Sequence, residues 1–248
     1  MAWEIQESNG VRYCRSQLLA AFSWLKQGFS TRCPVPETRA EAEAEQEYRR
    51  RFLALFQLTP DQTQLVKQVH GDTVLIVAEP RPGQELPEAD AMITNRPGVG
   101  LATVHADCVP VVLVDPVHRV IAAVHAGWKG TLAGLVRKTV ARMGAEYGSV
   151  PEECYAAIGP AIGSCCYRVP PERIALFTEK WPEFAFAVSR QEATLDLPLI
   201  NQKFLENCGL RPEHIDNARL CTACHHRDFY SFRREQATGR MLSLVVMK

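Results

Sequence analysis

With 248 residues, 46% of them hydrophobic and 23% charged, the chain has the composition of a soluble globular protein with a sizeable core. Lys plus Arg and Asp plus Glu both number 28, so no net basic field draws in nucleic acid or an anionic membrane, and any anion must be held by local groups. Glu4, Glu7, Arg12 and Arg15 break up the opening segment, which argues against a signal peptide, and no apolar run reaches the roughly 18 residues of a bilayer span. The nine cysteines therefore read as reduced thiols of a cytoplasmic protein.

In chain order, Trp3 to Ile5 and Val11 to Cys14 flank Ser8-Asn9-Gly10 and predict a hairpin. Residues 38 to 56 predict a helix with Tyr48, Phe52, Leu55 and Phe56 on one face. Leu65 to Val77 is β-rich but interrupted at His70-Gly71-Asp72, and a Pro/Gly/Glu loop follows from Glu79 to Glu88. Gly100 to Val104, Val109 to Asp115 and Val120 to Val124 are unbroken apolar runs, the pattern of strands covered on both faces. Thr131 to Tyr147 predicts a helix with Leu132, Leu135, Val136, Val140 and Met143 as its buried stripe, and Cys154 to Ile158 a returning strand.

Asp196 with Pro198 opens a further helix whose Leu197, Ile200, Phe204, Leu205 and Cys208 share a face. Strands are expected at Ala218 to Cys221, Phe229 to Phe232 and Leu242 to Met247. No repeat, linker or boundary divides the chain, so residues 1–248 read as one mixed α/β domain.

Chemistry concentrates where strands meet loops. His70, Cys108 and His125 each end a strand or start a loop, and two imidazoles with one thiolate are the three protein ligands of a zinc ion that keeps a fourth position open. Asp107 adjoins the thiol and is placed to orient a water or move a proton. Gly127-Trp-Lys129-Gly130 runs into the Thr131 helix, so Lys129 and the free N–H groups of that helix start form a candidate phosphate cradle without the P-loop pattern. Cys221-Thr-Ala-Cys224-His225 has the form of a haem attachment site but lacks the export signal haem attachment needs. As half of a metal knuckle it lacks a second pair nearby, where only His226 offers itself. The adjacent Cys165-Cys166 bridge each other only with strain and read as small packing residues.

His70-Gly71, Asp90-Ala91, Ala106-Asp-Cys-Val-Pro110, His125-Ala-Gly-Trp-Lys-Gly130, Ile158-Gly-Pro-Ala-Ile-Gly163, Cys165-Cys-Tyr167, Cys221-Thr222, Tyr230-Ser-Phe-Arg-Arg234 and Thr238-Gly-Arg240 together resemble the YfiH family, in order, from about Gln27 to the end. Its members are called purine nucleoside phosphorylases, laccase-domain polyphenol oxidases or peptidoglycan editing factors. The resemblance implies a four-layer α/β/β/α fold with mixed sheets, related to a group of cysteine hydrolases, and zinc on His70, Cys108 and His125. It implies phosphorolysis of adenosine, inosine and S-methyl-5′-thioadenosine, and adenosine deamination. Copper-linked phenol oxidation and editing of peptidoglycan precursors are also attributed to the family.

The chain departs from that pattern after Gly28-Phe-Ser-Thr-Arg32, where Cys33-Pro34-Val35-Pro36 and an Ala/Glu-rich segment replace the usual Gly-Gly pair and Ser-Leu-Asn stretch. Of the Asn-Arg pair that normally opens the helix only Arg49 carries over, and Lys129 stands where Arg is common, trading a planar fork for a point charge. The expectation is a cytoplasmic zinc enzyme, also able to take copper, whose partners are a small purine nucleoside and phosphate rather than nucleic acid or membrane. Phosphate is expected near Lys129, Arg49 and Arg32, with Cys108 and Asp107 as catalytic groups. The competing expectations are a thiol hydrolase using Cys108 as nucleophile with His125 or His70 as base, and a non-enzymatic copper-binding protein.

Overall fold

The computed structural model describes residues 3–34, 41–236 and 238–248; the Ala/Glu-rich stretch at 35–40 lies outside them. The strands are β1 (Ile5–Ser8), β2 (Val11–Cys14), β3 (Leu25–Ser30), β4 (Thr63–Gln64), β5 (Val74–Ile76), β6 (Ala91–Thr94) and β7 (Gly100–His105). They continue with β8 (Val109–Asp115), β9 (Val120–Ala126), β10 (Tyr155–Ile158), a small hairpin of β11 (Val188–Ser189) and β12 (Thr194–Leu195), β13 (Ile215–Asn217) and β14 (Met241–Met247). The helices are α1 (Gln17–Ala20), α2 (Glu41–Leu55), α3 (Trp128–Leu132), α4 (Leu135–Tyr147), α5 (Pro171–Lys180), α6 (Leu197–Asn207) and α7 (Phe232–Glu235).

Two six-stranded mixed sheets result, in the orders β1-β2-β3-β14-β7-β4 and β13-β10-β8-β9-β6-β5. Every residue of β8 and β9 is buried, as their unbroken apolar runs require, and the alternation of side chains tells which face goes where. Val112, Val114, Ile121 and Ala123 belong to one core with Phe29, Leu101, Leu244 and the α2 residues Tyr48, Phe52 and Phe56. Their neighbours Val111, Leu113, Ala122 and Val124 belong to a second core with Leu135, Val136, Val140 and Met143 of α4 and Ile200 and Phe204 of α6. The layers are thus α2, first sheet, second sheet, and the α4/α6 group, an α/β/β/α stack. Phe29 of β3 reaches across to lie on the bare backbone of Gly159, just beyond β10, where a Cβ would come within 2.3 Å of the ring. Among the described residues no helix is long and apolar enough to cross a membrane.

The opening hairpin turns through Asn9 and Gly10, both with positive φ (51° and 71°), as its two-residue loop demands. Several expected elements come out differently. The Thr131 helix begins earlier, at Trp128, and is broken at Gly134, whose φ of 73° lies in the left-handed region. The strand expected at Ala218 to Cys221 is instead Ile215–Asn217, because the positive φ of Arg219 (52°) turns the chain out of the sheet; only Cys221 touches another strand-like segment, at Ala161. Phe229 to Phe232 is not a strand: Ser231 accepts the Arg234 N–H at 3.3 Å and starts α7. Central β3 carries no strand signal because Lys26 and Gln27 interrupt it, yet Gln27 is buried and satisfied, donating to the Ser16 carbonyl at 2.8 Å.

Candidate metal centre

The alternation along β9 that sends Ile121 and Ala123 between the sheets also sends His125 there, at the end of the strand. Cys108 follows the Ala106-Asp107 turn that links β7 to β8, and His70 sits in the loop between β4 and β5 with φ 59°. These three stretches, far apart in sequence, bring one ligand atom each from His70, Cys108 and His125 to within 4.8 Å of one another. The two imidazoles meet edge to face, with centroids 5.0 Å apart.

One buried carboxylate organises this meeting. Asp90, immediately before β6, accepts the backbone N–H groups of Val69 (3.2 Å), His70 (3.0 Å) and Gly71 (2.7 Å), which fixes the strained His70 turn. It also pairs with Nδ1 of His125 at 2.9 Å, leaving Nε2 of that ring free to ligate. Asp90 is part of a sequence motif, but composition and spacing give no hint of this role; a carboxylate one residue ahead of a buried strand is the signal that marks it.

Burial pushes the Cys108 thiol up, but hydrogen bonds from His125 and His70 outweigh it and bring the thiol down to about 6. Burial likewise opposes charge on His125, and its contacts with Asp90 and Cys108 overcome that, raising the imidazole to about 9. The site is therefore a thiolate facing an imidazolium, and a divalent cation entering it would displace a proton rather than need a new ligand. Room is kept by Gly127: a Cβ there would stand 3.0 Å from His70 and 3.1 Å from the Cys108 sulfur. Two imidazoles and a thiolate, held by a buried carboxylate and bare backbone, fit a borderline-soft cation such as zinc.

Asp107 has φ 89°, and its carboxylate is engaged on both oxygens, by Thr222 Oγ1 at 2.6 Å and by the N–H of Arg233 at the start of α7, also at 2.6 Å. Its carbonyl accepts the Ile162 N–H at 2.9 Å. Asp107 thus holds the turn that presents Cys108. Beside the cluster opens a cavity of about 520 Å³, lined by His70, Cys108, His125, Asp107 and the aromatic rings of Trp128, Tyr167 and Phe232. Buried His105 also lines it, with no hydrogen-bond partner on either ring nitrogen among the described residues; burial first, and then the charge of His125, keeps it neutral by lowering it to about 3.

The predicted phosphate residues are not brought to this cavity. Arg32 pairs with Glu235 and lies over the Tyr230 ring at 4.6 Å, Arg49 pairs with Glu45 at 2.8 Å, and Lys129 is exposed with its Nζ 5.7 Å from the Trp128 ring centre. The cations that do line it are Arg173, Arg233 and Arg240. Arg173 stacks 4.2 Å over Trp128 and Arg233 4.9 Å over Tyr167, and none of the three is ion-paired among the described residues. In the sequence, Arg233, Arg234 and Arg240 read as solvated surface charge, with Arg234 alone placed to enter a site after a strand, and nothing singles out Arg173.

A stacked-sheet α/β fold carrying a two-histidine, one-cysteine cluster beside an arginine-lined cavity defines a candidate mononuclear metal protein. The chain belongs to the family described as multi-copper polyphenol oxidoreductase laccase, whose model matches residues 36–248. It is 39% identical over 168 residues to purine nucleoside phosphorylase YlmD of Bacillus subtilis (strain 168), covering 66% of this chain and 60% of that protein. It is 37% identical over 199 residues to purine nucleoside phosphorylase SCO2081 of Streptomyces coelicolor, covering 79% and 80%. The match to purine nucleoside phosphorylase LACC1 of Mus musculus, 34% identical, spans less than half of that longer protein, at 40%. Among solved structures, YlmD from Geobacillus stearothermophilus superposes with a TM-score of 0.85 at 27% identity, covering 98% of each chain. The Bacillus licheniformis hypothetical protein YfiH gives 0.84 at 28% identity, covering 97% of this chain and all of that one.

Proposed function

We propose that this chain is a cytoplasmic, zinc-dependent purine nucleoside phosphorylase acting on adenosine, inosine and S-methyl-5′-thioadenosine, with a secondary adenosine deaminase activity. The observation that carries the proposal is the convergence of His70, Cys108 and His125 on one point, with Asp90 orienting the His125 imidazole and fixing the backbone turn that carries His70. The names of the relatives support the substrate class.

His70, Cys108 and His125 would hold the zinc, which when bound supplies Lewis-acid polarisation at an open coordination position. The chain's own residues do the rest. Arg173, Arg233 and Arg240 supply planar, charged donors suited to phosphate, in a chain with no net charge to attract it. Trp128, Tyr167 and Phe232 offer faces against which a purine stacks. Phosphate oxygen attacks the ribose C1′, the C–N bond to the base breaks, and the base leaves with a proton, giving ribose 1-phosphate, or 5-methylthioribose 1-phosphate from S-methyl-5′-thioadenosine. In deamination, water replaces the amino group and ammonia departs. Asp107, the sequence neighbour of Cys108, lines the same cavity and is the residue proposed to carry a proton, with Thr222 and the Arg233 N–H holding its carboxylate in place. Lys129, Arg49 and Arg32 take no part in the phosphate contact on this reading.

One observation favours a second reading. A Cys108 thiol at about 6 beside a protonatable His125 is also the pair of a thiol hydrolase, able to attack an amide of a peptidoglycan precursor. Copper on the same donors would account for the oxidase activity in the family description. A product assay separates these readings. Metal-quantified, copper-free protein is given each nucleoside with and without phosphate. Phosphate-dependent release of free base, lost on chelation and restored by zinc, is expected; undiminished turnover in verified apo-protein refutes the zinc enzyme, and amide cleavage by apo-protein establishes the hydrolase.

A further inference from the structure

A second cluster lies outside the cavity. The Cys165-Cys166 pair, in the loop after Gly163, and the Cys221-x-x-Cys224 turn converge so that all four sulfurs lie within 4.8 Å of one another. Cys224 Sγ stands 3.6 Å from that of Cys165 and 3.5 Å from that of Cys166, and none of the four is in a disulfide. Four sulfurs around a zinc ion at bonds of about 2.3 Å stand about 3.8 Å apart, so the spacing is that of a tetrahedral tetrathiolate. We propose that Cys165, Cys166, Cys221 and Cys224 form a closed, structural zinc site that pins the two loops beneath the catalytic turn.

Core packing does not explain this convergence. Cys165 and Cys224 are exposed and Cys166 is half-buried, so three of the four thiols gather where there is no apolar interior to fill. A redox pair does not explain it either, since two sulfurs would suffice and the adjacent Cys165 and Cys166 bridge each other only with strain. The backbone around the four sulfurs is arranged for ligation. The Ala161 N–H donates to the Leu220 carbonyl at 3.2 Å and the Thr222 N–H to the Ala161 carbonyl at 3.1 Å, setting the two loops in register. The Gly163 N–H points at the Cys221 sulfur at 3.3 Å, the kind of donor that steadies a thiolate. Soft sulfur donors in a tetrahedron select zinc or iron over harder ions, and four protein ligands leave no open position for substrate.

The site's effect on the reaction is indirect. Thr222, next to Cys221, donates to Asp107, and Ile162, one residue before Gly163, donates to the Asp107 carbonyl. An ion tying Cys165 and Cys166 to Cys221 and Cys224 therefore holds both supports of the turn that carries Cys108. These residues are positioning residues.

Metal analysis of the full chain, purified under reducing conditions, tests this directly. Wild-type protein is expected to hold two zinc ions, and H125A and C224S one each. Cobalt-loaded H125A is expected to show the intense sulfur-to-cobalt charge transfer of a tetrathiolate, and C224S to lose it. H125A leaves the four cysteines untouched, so the proposal stays testable even if C224S fails to fold. Metal-free H125A, a Cys165–Cys224 or Cys166–Cys224 disulfide in the native protein, iron in place of zinc, or free reaction of all four thiols with a thiol reagent would each overturn it. None of these results bears on whether His70, Cys108 and His125 turn over a nucleoside, which the product assay reads separately.

Discussion

The two sulfur-bearing clusters of this fold differ in what surrounds them. His125, buried at the end of β9, Cys108 in a half-buried turn and His70 in an exposed loop are backed by a buried carboxylate and open onto an arginine-lined cavity. The four cysteines sit across two loops, with their sulfurs within 4.8 Å of one another and the loops held in register by backbone N–H and carbonyl groups. Three ligands and an opening suit chemistry; four ligands and no opening suit cross-linking. Ligand type follows the same division, because imidazoles can be steered by a carboxylate partner whereas thiolates are steadied by amide donors. The catalytic character of a metal site is thus legible in its empty side as much as in its ligands.

The sharpest way to break this comparison is at the open centre. His125→Ala is expected to abolish phosphorolysis and remove one metal equivalent, an effect beyond the roughly 10- to 100-fold loss that follows removal of a mere orienting partner. Metal content and turnover, measured on the same preparation, decide it. Asp90→Asn keeps shape and burial but withdraws the charge that both the His70 turn and His125 use, so metal affinity is expected to fall by about 10- to 100-fold with the cysteine cluster still loaded. Competition with a zinc chelator reads that shift. Arg233→Ala is expected to raise the KM for phosphate about tenfold, the worth of one charge-assisted hydrogen bond of about 1.5 kcal/mol, with little change in metal content. Lys129→Ala, at an exposed position that does not line the cavity, is expected to change that KM by less than about twofold. If Lys129 and Arg233 exchange these outcomes, phosphate sits at the start of α3 and the arginine-lined cavity has another use.

Much of the open centre is legible in the sequence because its ligands stand where apolar runs stop. Val109 to Asp115 and Val120 to Val124 announce buried strands through unbroken hydrophobicity, and the strand ends then single out Cys108 and His125. The cation set is not legible, because which arginine faces a cavity depends on loops that fold back from distant positions; Arg173 lies at the start of α5 and Arg233 in α7, just past the strand expected at Phe229 to Phe232. The cysteine cluster is hidden for the same reason. Cys221-x-x-Cys224 lacks a neighbouring pair in sequence, and Cys165-Cys166 supplies it only because Ala161 and Cys221 meet as a parallel bridge. Strand β3 escapes notice because the polarity of Lys26 and Gln27 outweighs its buried setting, a case of tertiary context overriding local preference.

The close approach of Phe29 to Gly159 has a consequence for how this scaffold tolerates change. The thickness of the central double layer is set there by an aromatic ring resting on naked main chain, with no side chain between them able to yield. A single methyl group at residue 159 would act as a shim, prying the layers apart at that point.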